Sequence, residues 1–245
     1  MTARPAPNRV DPFGEVVAAP GRGALMGNRG RLHDGAGTRE VRRHHVGRAW
    51  ITCLLEFRDR QVRQWDPHRY TPLFFLDEAV ALAAGHRPCA ECRRADHVAF
   101  RDLVAAAHRT SHLPAPGLDA ILHDERWDAR RRTRRLHAYA WPDVPDGAFV
   151  LLGPGPSVVT CDGLLAWLPG NAYAAEPSRR PRSGTATVIT PPSSVAALRD
   201  GFVLRAGPPA RASPTPGAAP TGARSGAGSG ARSGQASPSS SSEKA

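Results

Sequence analysis

The segment Arg87-Pro-Cys89-Ala-Glu-Cys92-Arg93 holds the side chains best suited to chemistry. A Cys-x-x-Cys pair closed by a tight turn presents two thiolates to one tetrahedral metal ion, with Zn–S distances of about 2.3 Å. Cys92 stands where an amphipathic helix is predicted to begin, so the positive end of that helix favours its thiolate. Arg87, Arg93 and Arg94 add to the same field. A redox dithiol would profit equally, but it belongs after a strand in a β-α-β pattern. This pair follows a predicted helix and its glycine stop, which favours a metal. A structural site needs two more ligands. Cys53 is one candidate, although on an apolar strand it also reads as a small buried hydrophobe. His33, His44, His45, His68, His86 and His97 are the others, and composition does not choose among them.

A second group is cationic. Arg126, Arg130, Arg131, Arg132, Arg134 and Arg135 fall within ten positions, with Trp127, Tyr139 and Trp141 interleaved or flanking. Guanidinium forks match phosphate oxygens and aromatic faces stack on bases, so the run is a candidate nucleic-acid contact; its plainer reading is a solvated loop. His123 and Glu125 are the strongest pair for acid–base work, on a predicted helix turn whose His and carboxylates also suit an ordinary surface. Cys161 is expected to be a core thiol. Gly153-Pro-Gly-Pro156 lacks the Lys-Ser/Thr of a phosphate loop and reads as a turn.

These groups need elements to position them. Ala49–Phe57 is short, apolar and rich in β-branched and aromatic residues, which predicts a strand. Leu73–Leu76 is a second apolar patch. The run 77–84 predicts a helix, capped by Asp77 and stopped by Gly85. An amphipathic helix is expected over about 92–110 and a short one over 118–128. Further on, 148–152, 157–161, 164–168 and 186–190 are strand-like runs separated by Gly and Pro turns, and 194–200 is a closing helical turn or two. The fold class is therefore α+β. The expected organisation is an irregular arm at 1–23, a zinc-binding domain at 24–112, a short helix plus β-rich domain at 113–205, and a disordered tail at 206–245. The tail has no Val, Ile, Leu, Met, aromatic residue or Cys with which to offset its ordering entropy.

The stretch Phe74-Phe-Leu-Asp-Glu-Ala-Val-Ala-Leu-Ala-Ala-Gly-His-Arg-Pro-Cys-Ala-Glu-Cys92 resembles the second half of the Ada-type metal-binding domain, the module of methylphosphotriester repair. That family shows an aromatic pair, a helix carrying Glu-Ala, then Ala-Gly-aromatic-Arg-Pro-Cys-x-x-Cys. Met26-Gly-Asn-Arg-Gly-Arg-Leu-His33 is similar to the Gly-Asn…His start of relatives in which histidine replaces the first cysteine. The likeness covers about Leu25 to Asp96. The family pattern puts its first two ligands at Cys-x3-Cys or His-x3-Cys, whereas the fourth position after His33 is Gly37. Cys53 is the one cysteine left between His33 and Cys89, so the resemblance implies a structural Cys3His zinc site of His33, Cys53, Cys89 and Cys92. In Ada itself a zinc-bound cysteine takes a methyl group from a DNA phosphotriester. An imidazole in the ligand set and the apolar strand around Cys53 both argue against that role here. The whole chain also resembles a group of bacterial proteins for which the module implies no particular activity.

Composition bounds the rest. Thirty-three Lys and Arg face 22 Asp and Glu, a net charge of +11, and all but one of the cations are arginines. Polyanions are natural partners for such a chain. No apolar run reaches the ~18–20 residues of a membrane-spanning helix, and the N-terminus lacks a signal-like apolar stretch. Four cysteines are too few for a disulfide scaffold, so a cytoplasmic protein with reduced thiols is expected. The favoured function is non-enzymatic, zinc-stabilised binding of nucleic acid, DNA before RNA. The rivals are a nucleic-acid-acting enzyme, either a nuclease or an alkyl acceptor, and a protein-interaction module.

Overall fold

Both faces of the second sheet are buried, and that fact organises the chain. The computed structural model describes residues 5–34, 39–60, 62–153 and 155–208. The first sheet is built from β1 (Pro7–Val10), β2 (Val16–Ala18), β3 (Leu25–Asn28), β4 (Ile51–Cys53), β5 (Leu73–Phe75) and, beyond the short helix α1 (Glu78–Ala83), β6 (Arg87–Pro88). Its strand order is β2-β1-β5-β3-β4-β6. Residues expected to form an irregular arm thus supply one edge, because β1 pairs in parallel with β5 through Arg9↔Phe74 and Val10↔Phe75.

Three elements follow: α2 (Arg94–Ala107), α3 (Ala115–Arg126) and a small hairpin of β7 (Trp127–Asp128) and β8 (Thr133–Arg134). The second sheet contains β9 (His137–Ala140), β10 (Phe149–Leu152), β11 (Gly155–Thr160), β12 (Gly163–Leu168), β13 (Ala172–Tyr173) and β14 (Thr185–Val188), in the order β13-β12-β11-β10-β14-β9. Helix α4 (Pro192–Arg199) closes the fold.

Strand residues alternate between faces, so consecutive apolar residues mean that both faces are covered. Val150, Val159, Leu164 and Val188 pack with Phe100, Val104, Leu118, Leu122 and Val195 from α2, α3 and α4. Their neighbours Phe149, Val158, Leu165 and Ile189 pack with Val10, Leu25, Leu73 and Phe75 of the first sheet. Helix α1 feeds both cores: Leu82 enters one, while Ala79, Val80, Ala81, Ala83 and Ala84 enter the other. The expected division at 112/113 does not hold, because each core draws on both sides of it. Residues Met1–Pro209 cluster as one unit. The mixed α+β class is as the sequence predicts. The expected tail begins with Ala206, whose carbonyl accepts from Glu78 N at 2.7 Å; from residue 209 onward it lies outside the described residues. No described helix is long and apolar enough to cross a membrane.

Helix α1 forms as the local sequence dictates. Asp77 Oδ1 accepts from Val80 N at 2.9 Å, and Gly85 ends the helix at φ +87°. A side chain at residue 85 would be strained there and would also meet Arg126 Cδ at 2.4 Å.

Candidate metal centre

The sulfurs of Cys53, Cys89 and Cys92 lie within 4.8 Å of one another. Strand register brings them together. Strands β4 and β6 run parallel with Ile51↔Arg87 and Thr52↔Pro88, so the next residues, Cys53 and Cys89, emerge side by side. Cys89 N donates to Thr52 O at 2.8 Å, which fixes that exit. A turn then returns the chain, with Arg93 N donating to Cys89 O at 3.1 Å, and it presents Cys92 to the other two. Tetrahedral coordination at about 2.3 Å places two sulfurs about 3.8 Å apart. The donor set fits a thiophilic metal ion.

The surroundings are apolar and prepared for negative charge. Met26, paired with Cys53 across β3–β4, packs in the same cluster with Leu54, Phe57 and Phe74. All three cysteines are buried. The Cys53 thiol and the backbone N–H groups of Cys92 and Glu91 donate to Cys89 and hold its thiol well below the ordinary range, against the effect of burial. The same contact pushes Cys53 up. Arg60 is lowered by burial but raised more by the facing Cys53, Tyr70 and Cys92, a net rise that marks it as the cation opposite the sulfurs.

His33 is not in this cluster. Its Nδ1 lies 2.6 Å from Thr71 Oγ1 and its Nε2 2.9 Å from Asp66 O, so both ring nitrogens are occupied. It ties the loop before β5 to the segment that follows β3, and the expected Cys3His set is corrected to three cysteines. Among the described residues no other His, Cys, Asp or Glu joins them. Cys161, expected in the core, is exposed.

The arginine run divides. Arg126 is wholly buried and donates to Gly85 O at 2.8 Å and Arg48 O at 2.6 Å. Arg134 turns inward to the carbonyls of Ala83, Ala84 and Ile189. Arg130, Arg131, Arg132 and Arg135 stay exposed on the β7–β8 hairpin, where Asp128 accepts from the backbone N–H groups of Arg130 and Arg131 at 3.0 Å. His123 and Glu125 also part company. His123 Nδ1 lies 3.2 Å from Arg126 Nη2, while Glu125 binds Ser193 Oγ at 2.6 Å and Ser193 N at 2.9 Å, at the start of α4. They do not form a catalytic pair.

Sequence reading missed a buried cluster around Trp50. The guanidinium carbons of Arg29 and Arg126 lie 4.1 and 4.0 Å from its ring centroid. His44, His45, His86 and His123 surround the same indole, with centroids 5.2–6.3 Å away. The adjacent His44-His45 pair, two positions past Arg42-Arg43 and five before Trp50, was the available signal. Burial, then nearby cations, push His44 down to about 3 and His45 to about 4; His86 and His123 are lowered for the same reasons. A histidine whose folded pKa lies below its unfolded 6.5 contributes stability above that pH and loses it as pH falls. Each proton so taken up on unfolding contributes a slope of about 1.4 kcal/mol per pH unit. Asp11 and Asp77, raised to about 6 mainly by burial, protonate earlier in the fold and offset part of this uptake below that pH. Urea midpoints are expected to fall steadily from pH 7 to pH 4.5, most steeply near pH 6. A flat profile would show these histidines to be solvated.

No family model, curated protein or solved structure matches the chain.

Proposed function

We propose that this chain is a zinc-stabilised nucleic-acid-binding protein in which the metal maintains the fold and does no chemistry. Three converging sulfurs favour zinc over harder ions, because thiolates select soft or borderline metals. Zinc bound there would join β4, β6 and the turn that leads into α2. Cys53 is 3% exposed, which disfavours methyl transfer to its sulfur. The observation that carries the binding half is the β7–β8 hairpin. Its exposed arginines border an open hollow of about 290 Å³ lined by Arg131, Thr133, Arg134, Arg135 and His137 together with Asp128, whose carboxylate holds Arg131 at 3.1 Å. Phosphate oxygens suit such a rim, and Trp127 flanks it.

Two tests follow. His33→Asn is expected to keep a full complement of zinc by metal analysis, while lowering the melting temperature through the lost Thr71 and Asp66 contacts. Loss of zinc in this variant would restore the histidine to the ligand set. The triple substitution Arg130→Ala, Arg131→Ala, Arg132→Ala is expected to weaken binding to a short DNA duplex about equally for unrelated sequences. It should also flatten the dependence of log K on log salt by up to about 3. Unchanged affinity and slope would remove the hairpin from the interface.

A further inference from the structure

From the cations around Trp50 we infer that the protein holds a single phosphate-sized oxyanion in its interior, at a site formed by Arg29, Arg126, Trp50 and His86. This goes beyond the exposed hairpin and does not rest on it.

The charge balance is the first ground. Arg29 and Arg126 are each 0% exposed, and Arg134 reaches in beside them. Among the described residues none of the three pairs with a carboxylate, although twelve other Arg–carboxylate contacts are present. Elsewhere this protein supplies partners for buried arginines: Arg87 has Asp119 at 2.7 Å, and Arg93 has Glu78. A buried charge left without a counter-ion is costly. Burial drags Arg29 and Arg134 down to about 9, outweighing the opposing pull of Glu15 and Asp11, neither of which forms an ion pair with them.

The second ground is the kind of atom left over. Arg29 Nη2, Trp50 Nε1, His86 Nδ1, Arg126 Nε and Arg134 Nε are buried without a hydrogen-bond partner. Four are obligate donors. The fifth is assigned by its neighbour: Arg29 Nε donates to His86 Nε2 at 3.2 Å, and a guanidinium can only donate, so Nε2 accepts and the proton sits on Nδ1. Buried donors are normally satisfied. Five unmatched N–H groups in one cationic cluster, with no acceptor among them, describe the complement of an oxyanion.

The outer side of the cluster is its least buried part. His44, His45, His123 and Trp127 are half-buried there, and His44 stacks on Trp127 at 4.4 Å beside the backbone carbonyls of His44 and Arg48 that accept from Arg29 and Arg126. Gly14 borders the cluster, where a Cβ would meet Arg29 Nη2 at 3.7 Å. The ligand class is a tetrahedral anion able to accept several hydrogen bonds. It could be free phosphate or the terminal phosphate of a nucleic acid strand.

The test uses the zinc-loaded full chain and inorganic phosphate. Titration calorimetry is expected to give a saturable one-to-one isotherm. In ¹H–¹⁵N spectra the Trp50 indole N–H should move with the same midpoint, while the Trp167 indole, also buried and unpartnered but outside the cluster, stays in place. Arg29→Met is expected to weaken phosphate at least tenfold, and the Arg130/Arg131/Arg132 triple variant to leave it unchanged. Should Arg29→Met fail to fold, the wild-type spectra decide alone. No saturable heat, equal movement of all the indoles, or undiminished binding in Arg29→Met would each overturn the assignment. A DNA oligonucleotide with a 5′-phosphate, compared with its 5′-hydroxyl form, identifies the source. Displacement of phosphate only by the phosphorylated strand supports a strand end, and displacement by neither supports free phosphate.

Discussion

Cys89→Ser is expected to abolish stoichiometric zinc and to lower the stability of the chain by about 4 kcal/mol, the effect of a ligand present at about a thousand times its dissociation constant. Cys89 is the sulfur best prepared to be a thiolate, because Cys53 and the N–H groups of Glu91 and Cys92 all donate to it. Serine keeps the shape and loses the ligand, since a hydroxyl neither ionises at neutral pH nor matches a soft metal. The remaining pair, Cys53 and Cys92, comes from different elements and has no turn to hold it in register. The measurement is zinc per chain together with urea denaturation with and without a chelator. Wild-type protein stripped of metal should converge on the variant's midpoint, because both lack the same ligand free energy. Cys161→Ser, at an exposed thiol, should leave both readouts where they were. Full zinc in Cys89→Ser would end the three-cysteine assignment.

Arg93→Ala carries the second large effect, about 3–5 kcal/mol of destabilisation, typical of breaking a buried ion pair from one side. Arg93 and Glu78 side chains are both 0% exposed. Arg93 Nη2 donates to Glu78 Oε1, Nε donates to Asp96 Oδ2 at 3.0 Å, and Nη1 reaches Thr52 Oγ1 at 3.4 Å. One guanidinium thus joins the first turns of α1 and α2 to the strand that delivers Cys53. Removing it leaves Glu78 a buried carboxylate with only Arg205 N, at 2.7 Å, in its place. The double variant Arg93→Leu, Glu78→Leu should recover most of the loss, since two apolar side chains replace the pair without an orphaned charge. Zinc affinity should fall in Arg93→Ala as well, through the loosened Cys89–Cys92 turn. Stability within about 0.5 kcal/mol of wild type would show the pair to be solvated after all.

Local physics made part of this molecule readable. The Cys-x-x-Cys turn, the Asp77 cap with its Gly85 stop, the amphipathic stripe of α2 and the apolar runs of β10, β11 and β12 each depend on residues a few positions apart. Their side chains and backbone settle the conformation before any distant contact forms. The α+β class follows from such signals, whereas the nomination of Cys53 beside Cys89 and Cys92 rests on the resemblance to the Ada-type domain.

Pairing between distant segments decided the rest. The parallel register of residues 51–52 with 87–88 set Cys53 next to Cys89, while Thr71 and Asp66 claimed both nitrogens of His33. A sheet buried on both faces joined the two halves, because apolar runs reveal that a strand is covered without revealing by what. Nothing along the chain distinguishes an arginine that faces water from one that faces an indole. Arg126 and Arg130 stand four residues apart in one basic run, yet one is wholly buried against Trp50 and the other lies on the surface. Sequence determined which chemical groups this protein owns and which short elements carry them. Only tertiary packing determined which groups meet, because burial and opposition across strands are properties of segments far apart in the chain.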